Sequence, residues 1–385
     1  MNNIAASNES SVIMYYISDY GYGHAARSIA LIRRLMERNI GENILLVICS
    51  GRSLPFIRKS LAMYEQQIVY RNTQLDLGYI TKPGSVELDY SEMKNGYKEY
   101  IRRFPTLVKQ EKEFLSITNA DLVISDISPI PFVAADSLNI TSVGISNFTW
   151  YTAYLELFED RQLDPLFQAY CKMDYFISLP GAYEPPWGRQ ERAKVGFYSR
   201  QLIKHELSRI KQELNLERFE KVLFFTAGLG IEGLKDLEFL RLWKNPNVAF
   251  LVSSTMSIRQ DNIFHIPKDY LESQHYVAAA DYVITKPGWS TISEAILFEK
   301  PLMLIRRSGM REDTNLITAL VDQGSNSLEI SNWEEFIELD ASYYEINKRD
   351  NLNPDNINIK INHYLDDICL IFDRLLIREW KGEPI

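Results

Sequence analysis

The stretch DYVITKPGWSTISEAILFEKP, residues 281–301, decides how the second half of the chain folds. Its apolar run at 282–285 has the length and the β-branched composition of a buried strand. Residues 286–288 contain a proline and a glycine, which turn the chain. A helix is then predicted from Ser290, and it carries Glu294 one turn in. The stretch is therefore a strand, a glycine turn and a helix N-terminus, an arrangement that can bind phosphates.

Each part of this element suits a sugar nucleotide. Gly288 lets a ligand approach the backbone after Lys286, and the N–H groups and positive dipole end of the helix favour a pyrophosphate. Ser290 and Thr291 add hydroxyl donors, while an ionised Glu294 can accept hydrogen bonds from both hydroxyls of a ribose. The alternative is structural: Thr291 and Glu294 also fit a capping box that only starts a helix, and the residues before them fit an ordinary turn.

Length, composition and charge indicate a folded chain with two domains. At 385 residues the chain is too long to fold around one ordinary hydrophobic core. With 46% hydrophobic and 24% charged residues, the chain does not have the composition of a disordered protein. Its net charge of -9 repels nucleic acid, so no nucleic-acid partner is expected.

Cysteine usage and the N-terminus predict a cytoplasmic location. The cysteines lie far apart and form no CxxC pair, which argues against a disulfide framework and a cysteine-built zinc site. They are Cys49, Cys171 and Cys369. The opening residues, MNNIAASNESS, lack the basic and apolar regions of a signal peptide, and no apolar run has bilayer length. A membrane-spanning segment is therefore not expected, while peripheral membrane contact is left open.

Strand-like and helix-like stretches alternate along the chain, as they do where parallel strands are joined by helices. The strands predicted for the first half are 12–18, 43–50, 67–72, 121–126, 140–146 and 174–179. Those predicted for the second half are 221–227, 247–254, 262–267, 282–285 and 301–307. Residues 150–173 are predicted to form one long helix. The proline- and glycine-rich stretch 181–190 is interpreted as the connection between the halves.

This alternation predicts an α/β protein with two Rossmann-like domains whose parallel sheets face each other across a cleft. We expect an N-terminal domain at 1–185 and a C-terminal domain at 186–355. A last helix within 356–385 is predicted to return to the N-terminal domain. In such sheets ligands bind at the carboxyl ends of the strands.

The glycine loop SDYGYGHAARS, residues 18–28, follows the first strand. Gly21 and Gly23 flank a tight turn, and His24 then begins a helix that carries Arg27 one turn later. A histidine at this position can take a proton from a hydroxyl nucleophile, and the helix N-terminus favours the neutral ring. The structural alternative is that His24 caps the helix or packs against a loop.

Two further positions carry open alternatives. The motif GLGIEG begins with Gly228 and Gly230, but the next strand ends in serines where a ribose-binding acid should stand, so nicotinamide binding is rejected. The glycines are predicted to admit donor phosphates, or else to form a plain strand-to-helix turn. Asp126, at the end of a strand, is a second candidate base or an orienting partner for His24; its structural alternative is an Asx turn or helix cap.

Other catalytic motifs are missing from the sequence. It contains no GxxxxGK[ST] phosphate loop, no HExxH and no GxSxG. No D-x-D pair stands where it could hold a metal against a diphosphate, so we expect no metal site and no required cofactor. The substrate expected instead is a nucleoside diphosphate sugar.

These landmarks together resemble the GT-B glycosyltransferases, which have two Rossmann-like domains. The peptidoglycan N-acetylglucosaminyltransferase and the plant UDP-glycosyltransferases are similar at both glycine-containing elements. A closer resemblance is to the glycosyltransferase-like N-terminal part of L-arabinokinase, carried by GYGHAARS, VISDISPIPFVAADSLNITSVGISNFTW and ITKPGWSTISEAILFEKPLMLIRR. It covers about residues 12–330. The phosphate loop of the kinase part is not found here, so sugar kinase activity is not expected.

The resemblance implies roles for particular residues. His24 would be the base, and Gly288, Ser290, Thr291 and Glu294 would bind the donor. Further donor-side candidates are Glu312 and Asp313 for the sugar, although their pattern departs from the plant enzymes, and backbone groups near Ile266 for the nucleobase. The GxGH-type loop, with Gly23 and Arg27, would face the acceptor. UDP is the carrier implied by the family, and the missing E-x7-E arrangement favours inversion.

The mechanism predicted is a single displacement in which His24, oriented by Asp126, deprotonates the acceptor. Aromatic residues that include Phe148 and Trp150 can line the acceptor pocket or pack a core. The acceptor itself is not identified by the sequence. Three other functions stay open: a sugar-nucleotide epimerase, a non-catalytic sugar-nucleotide sensor, and a dehydrogenase that uses the Gly228 loop.

Overall fold

The computed structural model describes residues 11–38, 44–83, 87–226, 237, 240–324, 328–339 and 353–381. These residues form two compact units. The first contains the described residues within 1–80, 90–196 and 363–385, and the second contains those within 81–89 and 197–362. Both are α/β units built on a parallel sheet. None of the described helices has the length and apolar composition that crossing a bilayer requires.

The first unit contains a sheet with the strand order β3-β2-β1-β4-β5-β6-β7 among the described residues. Its strands are β1 (Ser11–Ile17), β2 (Ile44–Ser50), β3 (Ile68–Asn72), β4 (Leu122–Asp126), β5 (Thr141–Ser146), β6 (Tyr175–Ser178) and β7 (Glu191–Lys194). Central strands such as β4 and β5 are buried along their whole length, because helices cover both faces of a parallel sheet. Burial extends to their polar residues, such as Ser125 in β4 and Ser142 in β5.

The first unit's helices connect and cover these strands. They are α1 (Tyr22–Glu37), α2 (Leu54–Ser60), α3 (Tyr90–Thr118), α4 (Ile130–Asp136), α5 (Trp150–Ala153) and α6 (Asp160–Tyr170). The amphipathic helix α1 buries its apolar side, including Ile29, Leu31 and Leu35, against the sheet side of the unit. This packing fixes the first turn of α1, where the candidate base lies.

The second unit repeats the same construction with the strand order β10-β9-β8-β11-β12-β13 among the described residues. Its strands are β8 (Lys221–Thr226), β9 (Val248–Val252), β10 (Ile263–His265), β11 (Tyr282–Thr285), β12 (Leu302–Ile305) and β13 (Leu328–Ser331). Its helices are α7 (Lys204–Glu213), α8 (Gln274–Ala279), α9 (Trp289–Leu297), α10 (Arg311–Asp322) and α11 (Trp333–Glu338). The predicted strand–turn–helix at 281–301 is β11 followed by α9.

The last helix, α12 (Pro354–Lys381), contributes residues to both units. Within the first unit, Asp366 binds Arg34 at 2.9 and 2.8 Å and Arg38 at 2.8 Å. Asp373 binds Arg38 at 2.9 Å. These partly exposed ion pairs attach α12 to α1, and Asp366 and Arg38 each bind two partners.

Two predictions of secondary structure were wrong, and one further strand, β13, was missed. Residues 174–179 are not the last strand of the first half, because β7 pairs with β6 in parallel. Its sequence, ERAK, is largely exposed and polar, so no apolar pattern marks it. The helix predicted at 150–173 is two helices, α5 and α6, and α6 begins with a capping box in which Glu159 and Gln162 satisfy each other's backbone N–H groups.

Candidate active site

The loop after β1 places His24 in the first turn of α1. Gly21 precedes the helix with a φ of 78°, in the region that favours glycine, and acts as its N-cap. The cap is thus a backbone group of Gly21, and the structural alternative in which His24 caps the helix is not what the fold contains. His24 and Arg27 are both buried, with 6% and 3% of their surfaces exposed.

The imidazole of His24 binds the carboxylate of Asp126 at the end of β4. The distance from Nδ1 to Oδ1 is 2.8 Å. Strands β1 and β4 are neighbours, and their register pairs Ile17 with Asp126, so the loop after β1 leads directly over the end of β4. In the tautomer whose Nδ1 donates to Asp126, Nε2 keeps its lone pair. That tautomer makes Nε2 the atom of His24 that can accept a proton.

Arg27 binds both oxygens of the same carboxylate. Its Nε donates to Oδ2 of Asp126 at 2.7 Å, and its Nη2 donates to Oδ1. The guanidinium also donates to Oδ1 of Asn147 at 2.6 Å and to Oγ of Ser146 at 3.0 Å, and it lies 2.9 Å from Nδ1 of His24. A planar guanidinium bound at this many points is rigidly oriented.

The charge of Asp126 follows from these contacts. Burial alone would raise the pKa of this carboxyl, but the Arg27 guanidinium and the His24 ring beside it outweigh burial and lower the pKa to about 2. Asp126 is therefore ionised at neutral pH and is a poor proton acceptor. Its carboxylate binds the His24 ring and the Arg27 guanidinium, and it does not form the Asx turn or helix cap of the structural alternative.

A cluster of aromatic side chains lies next to the His24 ring in the first unit. The ring of Phe148 meets the His24 ring edge-on with centroids 5.7 Å apart, and Trp150 lies 5.2 Å beyond Phe148. Trp150 in turn contacts Tyr20 and Tyr79 at 5.5 and 5.9 Å. Phe148 and Trp150 are 5% and 2% exposed, so in this structure they pack a cluster next to the imidazole.

Glu184 holds the turn that carries these aromatic residues, and sequence reasoning missed it. Its carboxylate accepts hydrogen bonds from the backbone N–H and Oγ1 of Thr149 at 3.0 and 2.6 Å. It also accepts from Oγ1 of Thr152 at 2.8 Å and from Nε1 of Trp187 at 2.7 Å. Burial raises the pKa of Glu184, and the four donors oppose that rise. An acidic residue inside a proline- and glycine-rich stretch was the available signal.

A small recess lies at the carboxyl ends of β1, β2 and β3. Its lining includes Tyr16, Asp19, Thr73, Asp76 and Ser128. Burial raises the pKa of Asp76 to about 7; the Ser18 and Ser128 hydroxyls oppose the rise and the Asp19 carboxylate adds to it. Asp19 itself accepts hydrogen bonds from the N–H groups of Arg52 and Ser53 at 2.9 and 3.2 Å.

In the second unit, the predicted donor element is the junction of β11 and α9. Helix α9 begins at Trp289 with Gly288 as its N-cap, and no side chain caps it. Ser290 and Thr291 lie half-buried in the first turn, and Lys286 lies half-buried in the preceding turn. The helix starts two residues before Thr291, so the capping box of the structural alternative does not form.

Glu294 is buried in α9 and binds an arginine that sequence reasoning missed. Its Oε1 lies 3.2 Å from Nη2 of Arg200, and the two side chains are 6% and 2% exposed. Burial raises the pKa of Glu294, the Arg200 guanidinium opposes the rise, and the Glu272 carboxylate adds to it. No helical period or motif marks Arg200, which lies in the irregular segment before α7.

The remaining predicted donor residues differ in their surroundings. Asp313 is fully buried, and its carboxylate accepts hydrogen bonds from Nε and Nη2 of Arg307 at 2.8 and 2.6 Å. Glu312 is buried beside the same guanidinium at 3.5 Å. The N–H of Ile266 donates to the carbonyl of Val252 at 2.8 Å. Gly228 and Gly230 lie outside the described residues.

The structure brings the predicted site residues together in two groups. One group, in the first unit, contains His24, Arg27, Asp126 and Phe148, with Gly23 and Trp150 next to it. The other, in the second unit, contains Lys286, Gly288, Ser290, Thr291 and Glu294. Both groups follow the carboxyl ends of parallel strands, where α/β sheets bind ligands. Among the described residues, no three His, Cys, Asp or Glu side chains gather as a metal site would need.

Two parallel α/β units of this topology define the GT-B fold of glycosyltransferases. The glycosyltransferase SnogD from Streptomyces nogalater is 11% identical, with a TM-score of 0.58 over 95% of this chain and 100% of its own. Arabidopsis thaliana UGT89C1 complexed with UDP-L-rhamnose is 12% identical, with a TM-score of 0.60 over 94% and 99%. Phytolacca americana UGT2 complexed with UDP-2fluoro-glucose and pterostilbene is 10% identical, with a TM-score of 0.55 over 94% of each chain. At these identities the likeness concerns the fold.

The sequence is similar to one curated protein, the L-arabinokinase of Arabidopsis thaliana. The two are 24% identical over 349 residues, which is 87% of this chain and 32% of the relative. The chain thus spans about a third of the length of that relative. No protein-family model matches the chain.

Proposed function

We propose that the chain is an inverting glycosyltransferase that moves a sugar from a nucleoside diphosphate to a hydroxyl or amine of an acceptor. The proposed nucleoside diphosphate is UDP. The observation that carries the proposal is the buried pair of His24 and Asp126 at the ends of β1 and β4. It supplies a base at the carboxyl edge of one sheet, in a chain with the GT-B fold. UDP is supported by the solved neighbours that contain UDP-L-rhamnose and UDP-2fluoro-glucose.

In the proposed reaction, Nε2 of His24 takes the proton of the acceptor as the acceptor oxygen or nitrogen bonds to the anomeric carbon. The bond from that carbon to the diphosphate oxygen breaks, and UDP leaves with the electron pair. One displacement inverts the anomeric configuration. General-base help of this kind contributes about 10²–10⁴-fold. The ionised Asp126 holds the tautomer and stabilises the imidazolium that forms.

The positive charge of Arg27 balances the negative charge of Asp126 in the His24–Asp126 pair. With Arg27 positive, Asp126 negative and His24 neutral, the buried cluster has no net charge before the reaction. Accepting the proton of the acceptor makes the cluster positive. A neutral resting cluster avoids the free-energy cost of a buried, uncompensated carboxylate.

The donor is proposed to bind at the β11–α9 junction. The N-terminus of α9 presents backbone N–H groups and a positive dipole end to the diphosphate, helped by Lys286, Ser290 and Thr291. Glu294 is proposed to accept the ribose hydroxyls. Because the N-terminus of α9 stabilises the negative charge of the leaving diphosphate, the proposed reaction does not require a metal ion. Roles for Gly228, Gly230, Ile266, Glu312 and Asp313 stay predictions.

A nucleotide panel tests the proposal directly. We expect UDP to raise the melting temperature of the protein by mass action, and UMP and uridine to raise it less because they lack the β-phosphate. We then expect UDP-sugars to release UDP only with an acceptor present, detected by mass spectrometry of the glycosylated product. If the protein binds no nucleoside diphosphate, the proposal is contradicted. Isomerised donor sugar formed without an acceptor would indicate an epimerase, and binding without turnover would indicate a sensor.

A further inference from the structure

The segment Phe197–Arg200 runs along the donor helix α9 and contacts it on successive turns. The ring of Trp289 lies 5.6 Å from that of Phe197 and 5.1 Å from that of Tyr198. One turn later, Oγ of Ser293 donates to the carbonyl of Tyr198 at 2.6 Å. Arg200 then reaches Glu294. The irregular segment before α7 is therefore part of the structure around the donor helix.

The guanidinium of Arg200 is held in place independently of Glu294. Its Nη1 donates to the carbonyl of Leu271 at 2.5 Å, and its Nη2 donates to Oγ of Ser273 at 3.1 Å. Nη1 also lies 3.9 Å from the carboxylate of Glu272. A buried, planar cation with these anchors has a defined orientation before any ligand binds. Glu294 is then positioned against a fixed partner.

The contact with Arg200 uses one of the two oxygens of Glu294. Oε1 accepts from Nη2 at 3.2 Å, and among the described residues no hydrogen bond to Oε2 occurs. An ionised carboxylate offers about four lone-pair positions, so Oε2 and the remaining position on Oε1 can accept two vicinal hydroxyls. This is the requirement for recognising a ribose and rejecting a 2′-deoxyribose.

We propose that Arg200 is a positioning residue that orients Glu294 for both ribose hydroxyls and so makes the site selective for ribonucleoside diphosphates. The inference rests on the proposed function, since it concerns the same donor site. A site built to hydrogen-bond a hydroxyl disfavours an analogue that lacks it, because the buried acceptor is then left without its partner. Selectivity against 2′-deoxynucleotides therefore reports the orientation of Glu294.

The experiment compares UDP with 2′-deoxy-UDP by isothermal titration calorimetry. We expect the unmodified protein to bind UDP about tenfold more tightly. Arg200→Met should bring the ratio of the two dissociation constants close to one, and Arg200→Lys, which keeps the charge without the planar fork, should give an intermediate ratio. Combining Arg200→Met with Glu294→Gln should change the ratio no further than Glu294→Gln alone, because Arg200 acts through Glu294.

Arg209→Met is the matched control, because Arg209 makes the same kind of ion pair, with Glu206 and Glu213, on an exposed face of α7. It should leave the ratio unchanged. The ratio is measured on folded protein, so a loss of stability in Arg200→Met does not affect its meaning, and Arg200→Lys provides a second variant. If the unmodified protein selects UDP and Arg200→Met keeps the full selectivity, this inference is wrong and the proposed function stands. If the unmodified protein binds neither nucleotide, the proposed function fails.

Discussion

Thr149 and Glu184, which are 35 residues apart, are joined by two hydrogen bonds of 3.0 and 2.6 Å. On the other side of the same turn, Arg27 binds Asn147 and Ser146. Phe148 lies between these two anchors, and its ring meets that of His24. The position of this ring therefore depends on a carboxylate from the proline- and glycine-rich segment and on a guanidinium from α1.

Replacing Glu184 by alanine should destabilise the first unit by about 1–3 kcal/mol, because the Thr149 and Thr152 donors and the Trp187 N–H lose their buried acceptor. Urea unfolding followed by far-UV circular dichroism measures this change. Glu191→Ala is the control, since Glu191 makes an exposed ion pair with Arg374 and should cost at most about 1 kcal/mol. Equal losses for the two variants would show that Glu184 does not anchor the turn.

Asp126 should make the stability of the protein depend on acid pH. Its pKa is lowered from 3.8 to about 2 in the folded state, because Arg27 and His24 outweigh burial. A lowered pKa contributes stability that is fully present above the unfolded value of 3.8 and is lost as the pH falls through about 2. Asp126→Asn should abolish this contribution.

The measurement is the free energy of unfolding of both proteins at a series of pH values. The difference between the unmodified protein and Asp126→Asn isolates this carboxylate from the others that titrate in the same range. We expect the difference to be constant well above pH 3.8 and to shrink below it, since the unfolded carboxyl then binds a proton while the folded Asp126 stays ionised down to about pH 2. A difference that stays constant throughout that range would contradict the Arg27–Asp126 pairing.

His24→Ala should remove transfer while sparing nucleotide binding. The imidazole lies in the first unit and the donor element lies in the second, so we expect the dissociation constant for UDP to stay within about twofold. The transfer rate should fall by about 10²–10⁴-fold. His205→Ala is the control because its side chain is 80% exposed. Loss of both activities on replacing His24 would move this residue out of the proposed role.

Much of this organisation is predictable from local sequence, and the exceptions have physical reasons. The strand–turn–helix elements at 281–301 and 18–28 are local patterns, so both were predicted. The contact between His24 and Asp126 was predicted as one of two roles for Asp126. It depends on β4 lying beside β1, and strand order is not contained in the periodicity of either strand. Arg200 and Glu184 lie in irregular segments, where burial of a charge arises only from tertiary packing. Strand β7 was missed because it is polar.

Arg307 and Asp313 provide the last prediction, since they form a buried ion pair beside the candidate donor residue Glu312. Arg307→Met leaves the Asp313 carboxylate buried without its partner, which should cost about 3–5 kcal/mol in urea unfolding. Arg307→Met combined with Asp313→Leu should cost less, because the Asp313 carboxylate is then no longer left buried without its partner. The Glu312 carboxylate, which lies 3.5 Å from Arg307, loses that contact in both variants. The single variant should lose more free energy of unfolding than the double variant, and the difference measures the cost of burying the Asp313 carboxylate without a partner. If the double variant is as unstable as Arg307→Met alone, packing and not charge pairing explains the loss.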